Sequence, residues 1–116
     1  MTAHLTPHLT THVLDAATGT PAPGVEVALA TASGTVVATG TTDADGRAGL
    51  GPELLEAGVY TLTFATGAYF AARDVATFYP SVTVTFSVDV ADEGGGRHLH
   101  VPLLLSPFAY STYRGS

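Results

Sequence analysis

The chain has 116 residues, no cysteine and no lysine, and ten acidic residues against four arginines give it a net charge of −6. That length suits one domain that buries roughly 65% of its unfolded surface. The missing residue types exclude disulfides, thiolate nucleophiles, cysteine zinc sites, Schiff bases and a phosphate-loop lysine, and four cations are too few for sequence-independent nucleic-acid binding.

Charged residues make up 12% of the chain, against about 25% in ordinary domains, while 46% are apolar. So few charges predict a surface partly covered by other subunits; a surface rich in Thr, Ser and Gly is the alternative.

Residues 1–9 read as a flexible N-terminal arm, and 10–116 as one domain. His4, His8 and His12 recur every four residues, which on a helix suits a metal, but Pro7 and the threonines around it are poor helix interior. His4 and His8 are therefore assigned to the arm without a role. The opening lacks a basic region followed by a long apolar run, and no stretch reaches the ~20 apolar residues of a membrane span. The expectation is a cytoplasmic protein with no membrane partner.

From Thr10 onward the dominant period is two. Thr10-Thr11-His12-Val13-Leu14-Asp15 reads as the first strand. Val25 to Leu29, Tyr60 to Phe64 and Val82 to Val88 alternate, with Val and Thr as fillers of half-buried strands. Turn signals separate them at Thr18-Gly19-Thr20-Pro21, Ser33-Gly34, Asp43-Ala44-Asp45-Gly46 and Gly94-Gly95-Gly96. About eight short strands so spaced predict an all-β antiparallel sandwich. The one helical candidate is Pro52 to Gly58, with Pro and acids early and Gly at its end. Val101 to Leu105 reads as a buried strand; Pro102 cannot donate to a ladder and marks an edge or a bulge there. Directly after it comes a polar ending, Tyr113-Arg114-Gly115-Ser116, which we read as a tail folded back into a site.

The chemistry-bearing residues are few. His98 and His100 flank Leu99, so on a strand they share a face. Such a pair supplies two ligands of a zinc site with His12 as the third, or sits on the surface without a role, or provides one general base near neutral pH. Arg47 follows the Asp-Ala-Asp-Gly turn, and its guanidinium suits carbonyls and anions; a surface arginine beside a hairpin is the plain alternative. The turn resembles the start of a calcium loop, but the acidic twelfth position is missing. There is no Gly-x-Ser-x-Gly elbow. Imidazoles, arginines and hydroxyls without a cofactor motif suit water activation on a small carbonyl-bearing substrate.

Thr11 to Asp15 with Gly19 to Ala22, Thr42 to Arg47, His98 to Pro107 and Tyr110 to Ser116 together resemble the 5-hydroxyisourate hydrolases, the transthyretin-like enzymes of urate breakdown. The Tyr-Arg-Gly-Ser ending is the specific part; transthyretin itself lacks it. The resemblance implies a transthyretin-like antiparallel β-sandwich of two four-stranded sheets with one short helix. It implies a homotetramer, a dimer of dimers with sites between subunits. It implies cofactor-free hydrolysis of 5-hydroxyisourate to 2-oxo-4-hydroxy-4-carboxy-5-ureidoimidazoline, with no metal. The family motif carries over onto His12, Arg47, His100 and Ser116 as catalytic residues, with His12, Arg47 and Tyr113 binding substrate. His98 is then the lesser partner. The alternative on the same fold is a non-enzymatic carrier of a small aromatic ligand.

Overall fold

The computed structural model describes residues 7–89 and 98–115. In chain order these form β1 (Leu9–Asp15), β2 (Thr20–Pro21), β3 (Glu26–Thr31), β4 (Val36–Thr41), β5 (Arg47–Leu50), β6 (Gly58–Phe64), α1 (Thr66–Ala71), β7 (Val82–Val88), β8 (Leu99–Ser106) and β9 (Ala109–Thr112). The period-two segments become strands because every second side chain reaches one apolar interior. On β1, Leu9, Thr11, Val13 and Asp15 are buried, while Thr10, His12 and Leu14 face outward and are half-buried.

Two sheets stack. One runs β4-β3-β6-β7, antiparallel throughout. The other runs β2-β1-β8-β9, and β5 also pairs β1. Strands β2 and β5 use successive stretches of the one edge of β1 that β8 leaves open, Leu14 to Asp15 and Leu9 to His12. The second sheet is therefore also four positions wide, as the sandwich reading requires. Its antiparallel character has one exception: β1 and β8 run parallel, with Thr10 opposite His100 and His12 opposite Pro102. Val13, Leu103 and Leu105 of this sheet meet Val27, Leu29, Leu62, Phe64 and Val82 of the other in the core. Each such side chain contributes about 1.5–3 kcal/mol on burial.

The short helix exists but lies elsewhere than expected. Pro52 to Ala57 is loop and Gly58 opens β6, and the helix is Thr66–Ala71. In the loop the Leu55 N–H donates to His8 Nδ1 at 2.8 Å, so it is withdrawn from any helical ladder. The helix has no side-chain cap, no early acid and no late base; its buried Tyr69 and Phe70 fix it by packing. The Tyr69 hydroxyl donates to Oδ2 of the buried Asp15 at 2.8 Å, and burial together with that carboxylate pushes its pKa up to about 12. Arg73 stacks its guanidinium 3.8 Å from the Tyr69 ring centroid.

The arm expected over 1–9 does not reach its last residues. Leu9 starts β1 and is fully buried, and His8 is 5% exposed, pinned to the 52–55 loop by its ring and by its N–H to the Pro52 carbonyl. His4 lies outside the described residues, as do Gly94 to Gly96 and Ser116. No helix among the described residues is long and apolar enough to cross a membrane.

Pro102 also departs from expectation. Strand β8 is interior, between β1 and β9. The register that pairs Leu103 with Thr112 reaches Gly115 opposite His100, with Tyr113 opposite Pro102 between them. The ladder is interrupted where proline lacks its N–H, and the Thr112 hydroxyl donates to the Pro102 carbonyl at 2.7 Å instead.

Candidate active site

The outer face of the β1-β8 sheet gathers residues from three distant stretches. Alternation points Thr10 and His12 of β1 outward, and His100 of β8 lies directly beside Thr10. Across the other edge, His12 faces Arg47 at the start of β5. The turn before Arg47 is locked by Asp43, whose Oδ1 accepts the Asp45 and Arg47 N–H groups at 2.8 and 3.0 Å. The Arg47 and Asp45 backbone donors hold the Asp43 carboxyl below its ordinary range.

A recess of about 350 Å³ opens here, lined by Thr10, Asp43, Arg47, Gly49, His98 and His100 among others. A second recess of about 310 Å³ lies between this sheet and β7, lined by Phe86, His100, Thr112, Tyr113 and Arg114 among others. His100 borders both. A larger cavity of about 560 Å³, on the outer face of the other sheet, is lined chiefly by small and hydroxyl residues, with Glu26 as its one ionisable group. Size does not make that cavity reactive; the convergence of imidazoles and a guanidinium is at the smaller recess.

His100 is half-buried, and burial lowers its pKa below 6.5, helped by the positive charges of His98, Arg47 and His12. A neutral imidazole at pH 7 is an acceptor, as a base must be.

Of the residues singled out in the sequence, Arg47 and His100 share the first recess. His12 does not line it, but pairs with Arg47 and adds its charge at both Asp43 and His100. Tyr113, 57% exposed, lines the second recess. Ser116 falls outside the described residues. Among those described, no three His, Asp or Glu side chains are arranged to hold a metal ion, so the His12, His98 and His100 zinc set is not assembled. Sequence reasoning passed over Thr10 and Asp43. The Asp-x-Asp-Gly-Arg stretch carried a signal for Asp43 as a turn-former; Thr10 carried none before the register was known.

The tail does fold back. The Gly115 N–H donates to the His100 carbonyl at 2.9 Å. A Cβ at Gly115 would lie 2.5 Å from Cδ2 of the His100 ring, so only glycine lets the backbone lie against that imidazole. We expect Gly115→Ala to swing the ring or lift the tail and to lower turnover by about 10²-fold, since near-ångström misplacement costs that much. Loss of activity with an unchanged melting temperature would locate the effect in the site; unchanged turnover would disprove the contact's importance.

A two-sheet sandwich with a histidine–arginine cluster on its outer face and a tail against the histidine defines a transthyretin-like protein with an active-site-like surface. The HIUase/Transthyretin family model matches residues 9–115, and the chain belongs to that family. It is 48% identical to the 5-hydroxyisourate hydrolase of Salmonella dublin, over 93% of this chain and 80% of that protein. Its fold is similar to the structure of Klebsiella pneumoniae 5-hydroxyisourate hydrolase, with a TM-score of 0.82 and 40% identity over 93% of this chain and 98% of that one. It is equally similar in fold to sea bream transthyretin in complex with thyroxine, with a TM-score of 0.82 and 37% identity over 92% and 93% of the two chains.

Proposed function

We propose that this protein is a 5-hydroxyisourate hydrolase, opening the six-membered ring to 2-oxo-4-hydroxy-4-carboxy-5-ureidoimidazoline. The observation that carries the reading is the convergence of His100, with its lowered pKa, and Arg47 on one recess, with Gly115 of the tail seated on His100. Relatives that carry the hydrolase name, 48% identical over most of the chain, support it.

The chemistry follows from the side chains. Neutral His100, with His12 nearby, positions a water and takes its proton as the oxygen attacks the ring carbonyl. Arg47 donates to the carbonyl oxygen as negative charge develops there. His100 then returns a proton to the leaving ring nitrogen. Tyr113, which lines the second recess, orients the ring, and the Ser116 hydroxyl is assigned a part in the hydrolysis. No cofactor enters this scheme.

The two recesses that meet at His100 are open, and Phe78, Phe108, Tyr110 and Tyr113 are large exposed apolar or aromatic residues. We propose that further copies of the chain complete the site in a homotetramer, a dimer of dimers. Light scattering that gives a monomer at working concentration counts against this assembly.

The test of the reaction makes 5-hydroxyisourate in situ from urate and follows its absorbance decay. Acceleration by the protein supports the hydrolase, and decay at the spontaneous rate overturns it. The pH profile adds a second check. Protonation of His100 stops the base, so kcat/KM rises with pH through that group's depressed pKa, with an acid limb below 6.5. Stability has the same sign. As pH falls, the unfolded chain binds the proton first, so the contribution is whole above about 6.5 and fades as pH falls through the folded pKa. An acid limb above 6.5 would remove His100 as the base.

A further inference from the structure

One hydroxyl joins His100 of β8 to His98, the residue just before that strand. Thr10 Oγ1 lies 2.8 Å from His100 Nδ1 and 2.9 Å from His98 Nε2. The rings stand 6.3 Å apart, centroid to centroid, with His98 exposed and His100 half-buried. The contact is built in by register, because Thr10 faces His100 across the parallel ladder. The neighbouring Thr11 hydroxyl is instead spent on the fold, donating to the Val101 carbonyl at 2.6 Å.

A hydroxyl has one proton, so Thr10 can donate to only one of the two imidazole nitrogens, and when it does it accepts from the other. The two tautomers are therefore coupled. In one arrangement Thr10 donates to His100 Nδ1, and His100 carries its proton on Nε2, where it is no base. In the other, His100 Nδ1–H donates to Thr10, Thr10 donates to His98 Nε2, and His100 Nε2 is left bare. Only the second leaves His100 a nitrogen ready to accept a proton.

We propose that Thr10 and His98 are positioning residues that hold His100 in its basic tautomer and relay its proton to and from the exposed surface. This rests on His100 acting as the base in the hydrolysis above. When the water O–H bond breaks, its proton binds His100 Nε2. The Nδ1 proton moves to Thr10 Oγ1, and the proton Thr10 held moves to His98 Nε2. Thr10 again carries one proton, His100 is neutral, and His98 is an imidazolium. When His100 Nε2–H protonates the leaving ring nitrogen, the chain runs backward and refills Nδ1 from His98. No proton is gained or lost, and His98 stores it between the two steps.

Imidazole ¹⁵N NMR on the free protein reads the tautomer directly. We expect a protonated Nδ1 and bare Nε2 at His100 in the wild type, a shift to protonated Nε2 in Thr10→Val, and the wild-type pattern in Thr10→Ser. With 5-hydroxyisourate, Thr10→Val and His98→Gln lower kcat by roughly tenfold or more with little change in KM, as a share of the proton-transfer contribution. Thr10→Ser restores the rate, and added imidazole buffer rescues His98→Gln. An unchanged His100 tautomer in Thr10→Val overturns the positioning role. A His98→Gln variant with wild-type kcat overturns the relay. If the wild type leaves the decay of 5-hydroxyisourate unaccelerated, the hydrolase reading fails, and the NMR comparison still decides the coupling.

Discussion

Replacing His100 with Asn lowers kcat by about 10²–10⁴-fold while the sandwich stays folded. The size follows from chemistry: an amide of similar shape fills the place of the imidazole but takes no proton near pH 7. The fold is expected to survive because His100 points to the outer face of β8, while Leu99, Val101 and Leu103 on either side of it carry the core. The main-chain contact to the tail is kept too, since Gly115 N–H binds the His100 carbonyl and not its ring. Steady-state rates on 5-hydroxyisourate beside thermal melting separate the two effects. Turnover within a factor of a few of wild type would take His100 out of the mechanism.

The largest stability effect is expected at Gly46, where replacement by Ala costs about 3 kcal/mol or more. Gly46 has φ of +75°, which alone disfavours any side chain there. A Cβ would also run into the Val13 carbonyl oxygen and approach the Ala22 nitrogen to 3.1 Å. Neither neighbour yields easily. Val13 is fully buried, its carbonyl accepts from Ala22 N–H at 2.9 Å, and its N–H donates to the Gly46 carbonyl at 2.7 Å. The same turn aims Arg47 at His12, so activity should fall along with stability. Urea denaturation measures the first; a loss under about 0.5 kcal/mol, the range of neutral surface changes, would contradict the packing.

Much of this was legible in the residues. Period-two patterning located β7 to the residue and β3, β6 and β1 to within a few, because one face of each strand is buried and the other is not. The Asp-x-Asp-Gly turn and the tail were legible through residue types that only special backbone positions favour. The helix was misplaced because capping signals are worth little in six residues, and the burial of Tyr69 against Asp15, 54 residues away, outweighed them. His8 looked like part of a loose arm because nothing near it in sequence shows that Leu55 will need an acceptor. Thr10 is the clearest case: an ordinary threonine becomes a bridge between two imidazoles only when β1 and β8 align in parallel. Alternation forecasts a face and leaves the partner strand open.

That parallel alignment also governs when the protein becomes competent. Thr10 and His100 are 90 residues apart, and bringing them together closes nearly the entire chain into a loop. Closure of that size costs about 4 kcal/mol in chain entropy before any contact across it is made. The β3-β4 and β6-β7 pairs form over much shorter spans. The sheet opposite the histidines can thus zip first, and the strand bearing His12 joins its neighbour late. A nascent chain with β8 still inside the ribosome has no cluster at all, so the first appearance of catalysis marks the finish of folding.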